Sequence, residues 1–403
     1  VTGLPTRPGL YVHLPFCSRI CPYCDFYVLS GDRDRRQQFT DWLIQEIELC
    51  ARQLWPSFVD QPPREPFDTL YLGGGTPSLL HADELERLLA AIHSTLPIAA
   101  QPWIGFEANP EHVDERRLTT WRGLGVSFLS LGVQSFSNRK LEFLERTHRS
   151  GQARESVVLA KLSGIESISV DLIYGLPGET AEEWRGDLER ALELQPDHLS
   201  CYQLTIEPRT PFGFRRERGQ LVESDPEVQA DLFLLTHRHL GEQGFPAYEV
   251  SNFAKAPEHR SRHNMKYWTH APYLGVGPSA HSFANRQRWW NARKIKPWAL
   301  LLGHDQRPIE GYEVLDRTSL SLERLMLGLR TPSGVDFASF PENTGRSICQ
   351  GNRQLIDEIC SNGWAVAEGW YLRPTLKGLA LAEAIARRFQ LRNSDPPEAR
   401  RIC

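Results

Sequence analysis

The sequence predicts an α/β protein: a partial (βα)6 barrel of the triosephosphate-isomerase type, followed by a small C-terminal α+β domain shaped like a winged helix. Three observations predict it. Between Gly9 and Ile206, six short apolar runs alternate with segments of helical periodicity, the pattern of a parallel sheet built from strand–helix units. Polar and glycine-rich stretches recur just after those runs, at the strand ends where such barrels keep their chemistry. The alternation breaks after about Glu207, and from about Leu320 short helices surround two short β segments.

The first strand, Gly9 to Leu14, feeds directly into a loop that holds Cys17, Cys21 and Cys24. Phe39, Trp42, Leu43, Ile47 and Leu54 lie at helical spacing, so a helix follows, and Pro56 to Pro66 reads as a loop. Phe67 to Leu72 is a strand ending in Gly73-Gly74-Gly75-Thr76-Pro77, with a helix from about Ala82 to Leu96. Trp103 to Phe106 is a strand ending at Glu107, with a helix near Glu115 to Leu124. Val126 to Val133 ends at Gln134-Ser135 and precedes helices at Arg139 to Glu145 and Gln152 to Leu162. Ser167 to Tyr174 carries Asp171, the helix Glu182 to Leu194 follows, and His198 to Ile206 is the sixth strand. Beyond it lie a helix (Asp225 to Gly241), a strand (Tyr248 to Phe253), a polar, aromatic stretch (His263 to Trp268) and a glycine-rich turn (Tyr273 to His281). The C-terminal part has helices at Leu320 to Leu329 and Asn352 to Ser361, and a two-stranded wing at Trp364 to Ala367 and Trp370 to Leu372. Thr375 is placed to N-cap a last helix reaching Phe389. The expected divisions are 1–210 for the barrel, 211–315 for its extension, 316–391 for the winged-helix-like domain and 392–403 for a flexible tail.

Composition narrows the class. The 403 residues are 40% hydrophobic and 24% charged, with a formal net charge of −4, the profile of a globular protein without a global signature for nucleic acid. No basic recognition helix stands out in the C-terminal domain. No apolar run is long enough to span a bilayer and no signal-peptide pattern is visible, so the cytoplasm is the expected compartment. Association with a membrane surface and the oligomeric state are left open. Eight cysteines are too few for a disulfide scaffold.

The spacing C-x3-C-x2-C of Cys17, Cys21 and Cys24 puts three thiolates within reach of one soft metal centre. Zinc would require a fourth ligand, and Cys50, Cys201, Cys349, Cys360 and Cys403 are scattered. An iron–sulfur cluster held by three thiolates keeps one iron without a protein ligand, open to a small molecule.

The stretch YVHLPFCSRICPYCDF resembles the signature of the radical S-adenosylmethionine family. The resemblance implies a [4Fe–4S] cluster on the three cysteines, with S-adenosylmethionine chelating the open iron and one electron from a donor cleaving its sulfonium C–S bond. LGGGTPS, FEANP, LGVQSF, ERTH, DLIYGLPGET and the Gly-Val-Gly-Pro-Ser-Ala-His turn extend the resemblance, from Tyr11 to about Phe389, to the group containing oxygen-independent coproporphyrinogen III dehydrogenase and the haem chaperones. The S-adenosylmethionine residues it implies are Tyr11, Tyr23, Gly74, Gly75, Thr76, Glu107, Gln134, Arg146 and Asp171; Thr205 and His281 match less closely.

Within that group two departures point away from the dehydrogenase. Its fourth cysteine, two residues after the third, is replaced here by Phe26, and only 16 residues precede Cys17 where the dehydrogenase has a long N-terminal arm. One feature points toward the chaperones: His263-Asn264-Met265-Lys266-Tyr267-Trp268 matches their H-N-x-x-Y-W motif. The resemblance therefore implies a protein that binds haem and hands it to acceptor proteins. His263, Asn264, Tyr267 and Trp268 are the candidates for haem contact, and Arg260, Arg262 and Lys266 for its propionates. Coproporphyrinogen III oxidation and radical methyl transfer are the alternatives.

Overall fold

The computed structural model describes residues 7–53, 65–340 and 344–391. Six strands, β1 (Gly9–Leu14), β2 (Phe67–Gly74), β3 (Ile98–Ala108), β4 (Val126–Gln134), β5 (Ser167–Tyr174) and β6 (His198–Gln203), lie side by side in chain order and all run parallel. The helices α1 (Arg33–Gln53), α2 (Ala82–Thr95), α3 (Glu115–Gly123), α4 (Asn138–Phe143), α5 (Ser150–Leu162) and α6 (Ala181–Glu193) supply the crossovers that parallel neighbours require. The expected strand–helix alternation is thus present in every unit.

The local chemistry explains these elements. Leu10, Val12 and Leu14 of β1 and Leu70 and Leu72 of β2, alternate residues that share one face of each strand, are buried in the core. α6 begins at a capping box: the Thr180 hydroxyl accepts the Glu183 N–H at 3.2 Å, and the Glu183 carboxylate accepts the Thr180 N–H at 3.1 Å. Its inner face buries Trp184, Leu188 and Ala191, each large side chain contributing about 1.5–3 kcal/mol. Thr236 of a later helix accepts the Trp184 indole N–H at 2.8 Å, so the ring's one polar atom is satisfied.

The six-stranded arc does not close. β7 (Asn252–Ala254) adds antiparallel to β6, while β8 (Tyr273–Val276) adds parallel to β1 and leads to β9 (His281–Ala284), β10 (Gln287–Asn291) and β11 (Ile309–Val314). The segment after residue 210 therefore extends the same eleven-stranded sheet. Between β6 and β8 lie α7 (Pro211–Glu217), α8 (Pro226–Glu242) and α9 (Arg262–Trp268). α9 is the H-N-x-x-Y-W stretch, and it sits under the start of the barrel strands. His263 Nδ1 is 3.0 Å from the Thr69 hydroxyl near the start of β2, and Lys266 Nζ donates to Arg7 O at 2.8 Å beside the start of β1.

The chain divides into two units, the first running to Ala247 and through Ser251–Glu313, the second comprising Tyr248–Val250 and the chain from Val314. The second has its own core of Leu325, Phe337, Ile359, Leu372 and Ile385. Its three-stranded antiparallel sheet places β14 (Tyr371–Pro374) between β12 (Val335–Asp336) and β13 (Ala365–Glu368).

Some expectations shift. The strand expected over Tyr248 to Phe253 is only Asn252–Ala254, and the polar, aromatic stretch is helical. The last helix is two, Leu376–Ala380 and Ala382–Arg388, though Thr375 does cap the first, accepting the Gly378 N–H at 3.2 Å. β9 to β12 are short antiparallel or edge pieces whose existence depends on their partners rather than on periodicity. Most of the loop expected over Pro56 to Pro66, and the tail 392–403, lie outside the described residues. Among the described residues no helix is long and apolar enough to cross a membrane.

Candidate functional site

The loop after β1 is clasped from three sides. At its base the Cys17 N–H donates to Leu29 O at 2.9 Å and the Leu29 N–H to Pro15 O at 2.6 Å. The end of β2 grips its entry through Gly75 N–H to Leu14 O (2.9 Å) and Thr76 N–H to Phe16 O (2.7 Å). A Cβ on Gly75 would lie 2.7 Å from both Leu14 O and Phe16 O, so only glycine permits that approach. On the far side the Phe212 N–H donates to Pro22 O at 2.9 Å, the Phe212 ring packs on Tyr23, and Glu145 accepts from Arg19 of the loop and Arg215 of α7, each at 2.8 Å.

Cys17, Cys21 and Cys24, free and half-buried, face a cavity of about 450 Å³ inside the arc. Two donors aim at their sulfurs: the Thr76 hydroxyl at Cys17 Sγ (3.4 Å) and Arg146 Nη1 at Cys21 Sγ (3.3 Å). Arg146 Nη2 also donates to Asn109 Oδ1 at 2.6 Å and Gly132 O at 3.1 Å, while its Nε is buried with no partner. A Cβ on Gly132 would crowd the side-chain ends of Gln134 (3.0 Å) and Asn109 (3.1 Å). Gln134 itself has a φ of +65°, and the pairing of β4 with β5 slips between Leu131 and Gln134. That irregular strand end is what turns a residue of β4 toward the cavity.

Deeper in the arc two carboxylates face the same space. Glu107 accepts the Tyr71 hydroxyl at 3.0 Å and the Gly74 N–H at 3.1 Å. Burial, and then the nearby charge of Asp171, push the Glu107 carboxyl up to about 7. Asp171 accepts the Ser130 hydroxyl on both oxygens (2.9 and 2.7 Å) and the Ser169 hydroxyl at 3.2 Å; burial raises its pKa against those hydrogen bonds. Two carboxyls lifted by burial at one cavity mark a place built for a ligand rich in hydroxyl or ammonium donors.

The cavity gathers Cys17, Cys21, Cys24, Tyr23, Gly74, Gly75, Thr76, Glu107, Gln134, Arg146 and Asp171, together with Thr205. Tyr11 stands behind its wall: its hydroxyl meets His13 Nδ1 at 3.0 Å and its ring stacks on Tyr71. His281 is not among the lining residues. Of the H-N-x-x-Y-W residues only Asn264 reaches the cavity, from below. His263 is fully buried, with Nε2 2.9 Å from the Tyr267 hydroxyl and Nδ1 on Thr69; burial lowers its pKa to about 3, so the ring is neutral. Tyr267 and Trp268 are half-buried on the same helix. Sequence reading missed Tyr71, Asn109, Ser130, Gly132 and Asn252, whose Oδ1 is buried without a partner. Asn109 lies in FEANP and Gly132 in LGVQSF, so those motifs held the signal.

The residues fit the cofactors implied. Three thiols on one clasped loop, two of them facing donors that stabilise charge on sulfur, suit an iron–sulfur cluster. Among the described residues no three His, Cys, Asp or Glu side chains converge on a single-ion position; in a cubane cluster each thiolate binds its own iron. Buried carboxyls with an unpaired guanidinium Nε suit a zwitterionic nucleoside, and the volume suits one ligand of that size.

Residues 11–191 match the radical SAM superfamily, and residues 315–381 match the HemN C-terminal domain. Heme chaperone HemW of Synechocystis is 36% identical over 84% of this chain and 82% of its own length. Heme chaperone HemW of Escherichia coli is 34% identical over 90% and 93%. Coproporphyrinogen III oxidase (HemN) from Escherichia coli, a radical SAM enzyme of known structure, shares the fold with a TM-score of 0.80 over 95% of this chain and 90% of that one, at 23% identity. With its cysteine loop at the mouth of a six-stranded arc and relatives matched along nearly their whole length, the chain belongs to the HemW family of the radical SAM superfamily.

Proposed function

We infer that this protein is a haem chaperone: it binds a [4Fe–4S] cluster, S-adenosylmethionine and haem, and passes haem to acceptor proteins in the cytoplasm. Cys17, Cys21 and Cys24 would hold the cluster. Gly74, Gly75 and Thr76 would take the methionine end, Arg146 and Gln134 its carboxylate and the ribose, and Glu107 and Asp171 the ribose hydroxyls. When bound, the pair supplies one-electron cleavage of a sulfonium bond, for which a redox donor is needed. The chain's own part is to orient the cofactor through these polar groups and to surround it with strands that limit access of water.

The observation that carries the chaperone reading over coproporphyrinogen oxidation is Phe26. It is 66% exposed at the cavity rim, two residues after Cys24, where the resemblance puts the dehydrogenase's extra cysteine. Haem contact through α9 has a definite requirement. His263 is neutral, as iron ligation needs, but its Nε2 must exchange the Tyr267 hydroxyl for iron.

The test is anaerobic reconstitution of the cluster, then haem titration followed in the Soret band, beside an assay of coproporphyrinogen III decarboxylation. The reading expects saturable haem binding without turnover of coproporphyrinogen, weaker binding in His263→Ala and an intact cluster spectrum in that variant. Absence of a Soret change, or sustained turnover, would overturn the chaperone assignment. Unchanged affinity in His263→Ala would remove His263 as the ligand.

A further inference from the structure

Gln134 holds a left-handed backbone conformation, uncommon for a residue with a side chain. One layer behind the cavity, a buried ionic group grips the two residues that follow it. Asp187 of α6 is completely buried and accepts the Phe136 N–H at 2.8 Å and the Ser135 hydroxyl at 2.7 Å, the two residues that follow Gln134. The Ser135 oxygen in turn accepts the Ser137 N–H at 3.0 Å. Lys140 of α4, also buried, donates to Asp187 at 2.9 Å and to Glu179. Glu179 accepts the N–H groups of Gly175 (2.6 Å) and Leu176 (3.1 Å), the turn that directly follows β5, the strand carrying Asp171. α4 leads on to Arg146, whose N–H donates to Leu141 O at 2.9 Å.

One buried lysine and two buried carboxylates therefore pin the ends of two adjacent strands and the start of a third site segment. Well-packed apolar side chains would stabilise the same space at least as well, so a buried ionic group here argues for control of geometry. We propose that the Lys140–Asp187–Glu179 group is the positioning device of the cofactor site, and that Asp187 acts by holding Gln134 in the conformation that presents its amide to S-adenosylmethionine. The proposal rests on Gln134 being a contact of that ligand, as inferred above.

A double-mutant cycle on the reconstituted protein tests it, with S-adenosylmethionine affinity by equilibrium dialysis and iron content by absorption. Asp187→Asn loses the charge that Lys140 and the Ser135 hydroxyl address, and should weaken S-adenosylmethionine binding about tenfold with iron content unchanged. In a Gln134→Ala background the same substitution should cost nothing more. A merely structural residue would not show that coupling. Where Asp187→Asn yields no folded protein, Ser135→Ala, which removes one grip and leaves the ionic group intact, runs through the same cycle with a smaller loss. Additive losses, or full affinity in the Asp187→Asn and Ser135→Ala variants, would overturn the positioning role while leaving the site reading intact. Full affinity in Gln134→Ala would overturn both.

Discussion

Replacing Asp171 by asparagine should stabilise the cofactor-free protein above neutral pH, and the gain should shrink as the pH falls toward 5. Asp171 and Glu107 are carboxyls at one cavity, and burial followed by the Asp171 charge lifts Glu107 from its ordinary 4.5 to about 7. A carboxyl with a raised folded-state pKa keeps a proton that the unfolded chain has released. Stability is therefore lost as the pH rises from about 4.5 to about 7, and the penalty is complete only above that. A displacement of that size is worth up to about 3 kcal/mol, an upper limit because water in the cavity screens part of it. Removing the Asp171 charge lets Glu107 ionise nearer its ordinary range and deletes a second buried carboxylate, so about 1–2 kcal/mol should return at pH 8. Asparagine fits locally, since the hydroxyls of Ser130 and Ser169 can donate or accept. Urea unfolding of iron-free protein at pH 8 and pH 5 measures the difference. A loss of stability at pH 8, or an equal effect at both pH values, would refute the account of the pair. A gain in stability with a loss of S-adenosylmethionine affinity would be the signature of a site that gives up stability for binding.

Three further outcomes follow from the geometry. Arg146→Met removes the donor to Cys21 Sγ, Asn109 Oδ1 and Gly132 O; S-adenosylmethionine affinity should fall by about 1.5–3 kcal/mol, roughly 10–100-fold, while the three cysteines retain iron, measured by dialysis and iron analysis. Gly74→Ala puts a Cβ 2.4 Å from the His13 ring at a φ of +104° and should lower stability by about 1–3 kcal/mol in thermal unfolding, whereas Gly186→Ala, on α6 with nothing within 4 Å, should stabilise by about 0.5–1 kcal/mol.

The barrel half of the fold was legible because its signals are local. Each of β1 to β6 is an apolar run long enough to stand apart from its neighbouring helix, and each polar strand end carries its own residue marker. Glu107, Gln134 and Asp171 could be read as site residues before any geometry, because a parallel arc brings all its strand ends to one side. The edge of the same sheet was not legible. β9 (HSFA) and β10 (QRWWN) are strands because they pair with each other and extend β8, and no period in four or five residues announces that. The H-N-x-x-Y-W stretch was recognisable as a motif, yet its helical state and its position beneath the barrel depend on Thr69 and Arg7, nearly two hundred or more residues away in the chain.

The amino-acid sequence by itself determined the cysteine spacing, the strand–helix order and the residue types at each strand end, since these are properties of neighbours along the chain. Tertiary structure decided which of those residues share one cavity and which state each holds there. His263 is a neutral core residue bonded on both ring nitrogens because β2 and Tyr267 surround it. The charge of Asp171 adds to burial in lifting the Glu107 carboxyl because two strands about sixty residues apart in the chain face one cavity inside the arc. Gln134 lines the cavity from an irregular strand end, and the two residues after it are gripped by a buried ionic group formed from two helices and a turn. Burial and electrostatic coupling act through space, and in a parallel barrel the neighbours that matter most are those farthest apart in sequence.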